Sequence, residues 1–330
     1  MYLATNVHIT FPEFKGEKRT SPRKEIVFKS VNSFKIDKTW QSLTDTCEFV
    51  IAKRLYLEEK GRVFELIQPG DPFYIDAGYN GEYNREFNGF ISEILDDLPV
   101  TFKCEDNMYI LKRKVINKSY KNIKLSALLK DIIPSQFKID CPDVVIGDFL
   151  FPKWSVSQIL QELKDKCGFY SYFNGDTLVC FKIFEDNPKN QTVKFTFNKN
   201  VIANDLKYRK TNDYRIKVTA ISRLTNGKKI KEIVGDLDGV EAKLYFTNVK
   251  DRAALIKMAN AELTRLRYDG YRGSLTGFGI PFVEHGYTAE IINPENPERN
   301  AKYYVNGVTT TLDNKGAIRR NCKIGKKAAK

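Results

Sequence analysis

The chain has 330 residues, 42% hydrophobic and 12% aromatic, enough apolar material for two or three cores, which excludes a disordered polymer. Its net charge of +13 leaves open attraction to a polyanion, although a solvated lysine-rich surface accounts for the same excess. No apolar run approaches the ~20 residues of a membrane helix, which excludes a helical membrane span.

The N-terminus, MYLATNVHITFPEF, lacks the basic-then-apolar layout of a signal peptide, so the expectation is a soluble chain made in a cytoplasm. Strand-like runs at 25–34, 46–52, 72–76 and 86–94 follow, punctuated by Pro69-Gly70-Asp71-Pro72 and Gly78-Tyr79-Asn80-Gly81. Such short runs suggest a small barrel or sandwich. In the next strand Val100, Phe102 and Cys104 alternate with Thr101, Lys103 and Glu105. Cys104 therefore points away from Glu105, which cannot serve as its base. Asp106 and Asn107 sit where that strand ends.

The period then changes. Leu125, Leu128, Leu129, Ile132 and Ile133 recur at helical spacing, and Pro134 stops them. A second helix opens on a capping box, Ser155 with Gln158, and runs through Val156, Ile159, Leu160 and Leu163. It ends at Gly168, where a left-handed cap is expected. A hairpin across Asn174-Gly175 follows. From about residue 205 the strand period returns, interrupted by one helix that begins at Asp251 and closes at Gly270. Leu255, Met258, Ala259, Leu263 and Leu266 form its apolar face. The last hairpin turns at Asp313-Asn314-Lys315-Gly316. Beyond it Arg319, Arg320, Lys323, Lys326, Lys327 and Lys330 make a basic tail of a kind that is often disordered. The fold class read from this order is α+β, mostly β.

Little in the chain suggests catalysis. The histidines are His8 and His285, and the six cysteines (Cys47, Cys104, Cys141, Cys167, Cys180, Cys322) are scattered, as in a protein of a reducing compartment. Residues 235–239 resemble a calcium loop but fail at both ends of the register, Val234 and Tyr245. Glu93, Asp96 and Asp97 could supply an acid and a base, although Asp96-Asp97-Leu98-Pro99 reads better as a hairpin loop. No catalytic residue, metal site or cofactor is assigned. Two competing functions stay open. One is a basic single-stranded nucleic-acid binder using Tyr208, Tyr214, Arg215 and Lys217, and the other is a cell-wall hydrolase with an acidic pair.

Four stretches together resemble a known family. They are Pro69-Gly70-Asp71 with Phe87-Asn88-Gly89-Phe90-Ile91, then VTFKCEDNMYIL with its corner at Cys104 and Asp106. The third runs from Trp154 to Phe181 and includes Ser155 and Gly168; the fourth is Gly279-Ile280-Pro281, Gly286 and the strand with Tyr303 and Val305. In this order they resemble the baseplate hub proteins of contractile-tailed bacteriophages, the late control gene D family, related to the base of the type VI secretion spike. Two features depart from the pattern: Thr310 stands where many relatives would carry His, and the basic tail beyond residue 322 has no counterpart.

The resemblance implies two tail-tube-like β-barrels, at 1–103 and 206–330, flanking a small α+β domain at 104–205. It also implies a non-enzymatic homotrimer without cofactors, whose six barrels imitate a hexameric ring. The implied partners are the tail tube protein, the central spike protein and other baseplate proteins, with DNA able to pass through the ring. The implied place is the virion tail baseplate, assembled in the bacterial host cytoplasm, with no membrane insertion.

Overall fold

The structure, a computed structural model, describes residues 4–13, 24–52, 56–57, 61–62, 66–95, 98–182, 191–213, 215–224 and 227–328. Period-two alternation builds the first strands: β1 (Thr5–Phe11), β2 (Ile26–Phe28), β3 (Ser33–Thr39), β4 (Thr46–Ile51), β5 (Tyr56–Leu57), β6 (Gly61–Arg62), β7 (Pro72–Tyr79), β8 (Glu82–Leu95) and β9 (Val100–Glu105). The run expected at 25–34 is thus broken, β2 and β3 being separate strands. Hydrogen bonding follows the order β2-β1-β7-β8-β9-β4-β3, so the path starts and ends on strands joined by residues 29–32. A sheet whose end strands are chain neighbours has curled nearly into a barrel. Among the described residues β2 and β3 do not pair, so the ring of bonds is left open. Its inside is aromatic: Phe11, Phe49, Phe73, Phe87 and Phe102 are buried, and the Phe49 and Phe102 rings stack 4.7 Å apart.

The middle of the chain supplies α1 (Met108–Arg113), β10 (Val115–Lys124), α2 (Leu125–Ile132), β11 (Lys138–Asp140), β12 (Val145–Ser155), α3 (Val156–Cys167), β13 (Phe169–Asn174) and β14 (Thr177–Lys182). The ribbon β10-β12 and the sheet β11-β14-β13 enclose one core with the three helices, including Leu128, Leu129, Ile159, Leu160 and Leu178. Helix α1 and the ribbon were not foreseen. In β10 only Ile116 is buried, so its sequence carries no clear alternation.

The last part contains β15 (Thr192–Thr196), β16 (Val201–Asn204), β17 (Lys207–Arg209), β18 (Ile216–Arg223), β19 (Lys229–Gly235), β20 (Val240–Thr247), α4 (Arg252–Leu266), β21 (Gly270–Phe278), β22 (Thr288–Ile292), β23 (Ala301–Leu312) and β24 (Ile318–Lys327). Here the path is β15-β22-β23-β24-β21-β16, and again its end strands are chain neighbours, joined by residues 197–200. Its core centres on Phe195, Leu275, Ile291, Tyr303 and Val305. Strands β15 and β16, within the interval 104–205, pair into this sheet rather than with the middle elements.

Strands β18, β19 and β20 do not join that path. They form a sheet of order β19-β18-β20, with β18 and β20 parallel, and α4 packs on it over a core of its own. Helix α4 is capped by Asp251, whose carboxylate accepts from Ala253 N and Ala254 N. Two expectations about it are corrected. Met258 is 41% exposed because Leu255, Ala259 and Leu263 already fill the buried stripe. Arg267, with its N–H donating to Leu263 O, caps the helix, and Gly270 starts β21.

The chain is therefore α+β and mostly β. The basic stretch at its end is not a loose tail: residues 318–327 are β24, a full strand between β21 and β23. Arg320 and Lys326 are 2% and 6% exposed, sharing the inward parity of Ile318, Cys322 and Ile324. Lys330 lies outside the described residues.

Candidate functional site

Several of the residues singled out from the sequence, among them Gly279, Pro281, Gly286, Val305 and Asp106, lie where the two curved sheets meet. Strand β23 makes that meeting possible by changing partners along its length. Its first residues, Ala301 to Tyr304, pair with β22, and Gly307 to Leu312 pair with β3 of the first sheet. The tip of the β23–β24 hairpin thereby crosses over, and Leu312 and Ile318 are buried in the first core.

Polar bonds fasten this crossing. Arg320, on β24, forms a bidentate pair with Glu86 on β8, Nη2 to Oε1 at 2.8 Å and Nη1 to Oε2 at 3.0 Å. Both side chains are 3% exposed. Arg320 also donates to Thr310 Oγ1 and to Gly279 O, each at 3.0 Å, and its guanidinium lies 4.9 Å from the Phe282 ring. Thr310 is thus one of the acceptors of the Arg320 Nη groups, while Nε is buried without a partner. Tyr79, at the end of β7, accepts from Gly279 N at 3.2 Å and donates to Ile318 O at 3.3 Å. Gly279 fits here because a Cβ would sit 2.7 Å from Ile318 Cγ2. The next bond, Ile280–Pro281, is cis.

A second node, drawn from four separate stretches of the chain, ties in the middle elements. Asp45 follows β3, Asp106 precedes α1, His285 follows Pro281, and Tyr172 lies on β13. Asp106 N donates to Asp45 O at 3.1 Å, and Asp45 Oδ1 accepts from Thr39 N at 2.9 Å. His285 Nε2 stands 3.6 Å from Asp45 Oδ2, too long for a hydrogen bond, and its ring meets Tyr172 edge-on at 4.7 Å. Lys38 and Glu284 pair at 2.7 Å on the rim. Asp106 Oδ1 accepts from Met108 N at 3.0 Å, whereas Oδ2 is buried without a partner. Burial, reinforced by the Asp45 charge, holds the Asp106 carboxyl well above the ordinary carboxylate range. Gly286 donates to Val305 O and Val305 N to Tyr287 O, tying this loop to β23.

The other residues singled out are scaffold. Gly70, at φ +95°, donates to Ile91 O, and Ile91 N donates to Asp71 O, so Gly70, Asp71 and Ile91 close one corner of the first sheet. Gly89 lets β8 approach β9, since a Cβ there would lie 2.1 Å from Glu105 O. Cys104 faces Cys47 across β4 and β9, and burial pushes its thiol well above the ordinary range, so it is inert. Tyr303 is fully buried; its hydroxyl accepts from Tyr271 N at 2.9 Å and is pushed up to about 12 by burial. Ser155 and Gln158 make the reciprocal capping bonds, and Gly168 takes φ +74° against the Tyr245 ring.

The residues of the two competing functions are not brought together as those readings need. Tyr208 packs edge-on to Tyr271 at 5.3 Å with Arg299 over it, and Arg215 pairs with Asp238. Tyr214 lies outside the described residues, as do Asp96 and Asp97, and Glu93 is paired with Lys103. Sequence reading missed Arg320, Glu86, Asp45 and His285 as junction residues. The available signal was parity, since Arg320 falls in the buried series of β24.

No protein-family model and no curated protein matches the chain. Solved structures do match, at low identity. A tail protein from Neisseria meningitidis superimposes with a TM-score of 0.63 at 16% identity, over 98% of this chain and 97% of the other. The 43 kDa tail protein of prophage MuSo2 from Shewanella oneidensis gives 0.61 at 14% identity, over 97% and 98%. The E. coli c3393 protein, described as a component of the type VI secretion system similar to phage T4 tail proteins gp27 and gp5, gives 0.55 at 10%, over 91% and 74%. The chain shares the fold of phage tail proteins and of this secretion component.

Proposed function

We propose that the chain is a structural hub of a contractile-tail baseplate, a homotrimer that joins a hexameric tail tube to a trimeric central spike. One observation carries the reading. Two curled sheets in one polypeptide each return to a chain neighbour of their first strand, and they share the β23–β24 hairpin. Three copies would set six such sheets around an axis, matching sixfold symmetry on one side and threefold on the other. The likeness to tail proteins over almost the whole length supports it.

In this reading the junction is a rigid coupling. A bidentate ion pair desolvated on both sides adds a fixed donor–acceptor geometry to the packing of the two sheets. The division into 1–103, 104–205 and 206–330 belongs to the same proposal, as do the tube, spike and other baseplate proteins as partners and DNA passage through the ring. The role is non-enzymatic and the place is the virion tail baseplate, assembled in the host cytoplasm.

The test is mass in solution. Sedimentation or native mass spectrometry of the purified chain should give a trimer, alone or once tube or spike protein is added. A monomer under all three conditions overturns the proposal.

A further inference from the structure

The small sheet β19-β18-β20 has two faces, and only one is occupied by α4. Residues of even number, such as Ile216, Val218, Ile230 and Leu244, point to the helix. The other face carries cross-strand rows read directly from the pairing: Gly235–Lys217–Glu241, Ile233–Thr219–Lys243, Lys231–Ile221–Tyr245 and Lys229–Arg223. One corner of it is used. Tyr245 packs on Gly168, and Arg223 donates to Asp148 O at 3.1 Å and lies 4.5 Å from the Phe149 ring, docking the sheet on the middle elements.

On the remainder the edge strands β19 and β20 are exposed, while Thr219 at the centre is buried. Lys217, Lys231 and Lys243, one from each strand, surround the single carboxylate Glu241, which the Thr219 hydroxyl holds at 2.7 Å. Beside them Ile233 is 44% exposed, and Leu237, in the turn at the same end of the sheet, is 76% exposed. Ile256 and Met258 of α4 and Val240, the partner of Ile216, are also exposed, on the helix side of the unit. Apolar residues set among like charges form the pattern of a protein interface, with a dry centre and a charged rim.

We propose that this face docks an acidic surface of a partner protein. Charge complementarity selects the sign, and the exposed Ile233 and Leu237 select protein over nucleic acid. A single strand is gripped by stacking, and the face's aromatic, Tyr245, is committed to Gly168. The proposal rests on the sheet alone and stands independently of the oligomeric state.

The test uses the full chain and two synthetic peptides, polyglutamate and a Glu-Glu-Leu repeat, with an oligo-dT strand as comparison. Both peptides should bind at low salt, the leucine-bearing one more tightly. Lys217→Glu/Lys231→Glu/Lys243→Glu should weaken both by about tenfold or more. A control of equal charge, Lys29→Glu/Lys121→Glu/Lys199→Glu, should leave them within about twofold. Ile233→Ser/Leu237→Ser should abolish the preference for leucine while melting as the parent does. Equal losses in triple variant and control overturn the proposal, since the field of the whole protein would then suffice. So does oligo-dT binding that is tighter than either peptide and depends on the same lysines, or failure of the peptides to bind. Each of these can fail while the chain is still a trimer, so the result is separable from the hub reading.

Discussion

Asp106 is an acid kept where water cannot reach one of its oxygens. Its carboxyl is raised by burial and by Asp45, so folding favours the protonated form. A group raised on folding contributes stability that is fully present below its unfolded value, about 3.9, and is lost as pH rises through the folded one. Asp106→Asn keeps an acceptor for Met108 N and cannot ionise. The variant should therefore melt about 1–3 °C above the parent at pH 7, the gap closing towards pH 4. Parallel melting curves across that range would remove Asp106 from the account. Cys104 makes the opposite kind of prediction. Its neighbours are Cys47 and apolar side chains, so Cys104→Ser should cost about 1–2 kcal/mol of unfolding free energy and change no assembly property.

At the scale of elements, two devices hold separate parts of the chain together. The first is the cap of α3, where Gly168 ends the helix and seats Tyr245 of β20. Gly168→Val meets both a φ of +74° and a ring 2.6 Å from the new Cβ. It should cost about 3 kcal/mol or more and raise amide exchange in β20 as well as in α3. This helix was legible because its signals are local: a cap, a stripe and a stop within fourteen residues, 155–168. The second device, the Glu86–Arg320 pair, joins residues 234 apart in sequence, and no local pattern names such a partner. Arg320 looked like one charge of a basic tail because composition hides parity. Helix α4 failed in the same way at Met258, since apolar character alone does not set which side a core lies on. Glu86→Gln should cost about 3–5 kcal/mol in urea unfolding, because Arg320 would stay buried without its counter-charge, whereas Glu86→Leu/Arg320→Met should recover most of the loss. A double variant as weak as the single one would mean that the charges, and not their pairing, are needed.

The whole molecule shows which part of the design sequence can carry. Turns, alternation and helical stripes announced a mostly β chain with a helical middle. They could not announce that β23 serves two sheets, because a strand's partners are chosen by what lies beside it in space. Nor could they separate the β18–β20 unit from the sheet that precedes and follows it, since all of these strands alternate alike. The pairing makes that separation plain: Arg209 of β17 and Gly270 of β21 are register partners, and the whole unit with α4 lies between them in the chain. Its core, built on Val218, Ala220, Leu255 and Ala259, shares no buried residue with the core around Tyr303 and Val305. A chain in which Lys210 is joined directly to Arg267 should therefore keep β17 and β21 paired across a four-residue loop, Lys210-Arg267-Tyr268-Asp269. Arg267 would lose Asp236, and the middle elements would lose the contacts of Arg223 and Tyr245, so the melting temperature should fall, by no more than about 5 °C. The shortened chain should unfold cooperatively and keep its oligomeric state while losing the acidic peptides. A chain that unfolds without a transition would show instead that the small unit is part of the main core and not a module set into it.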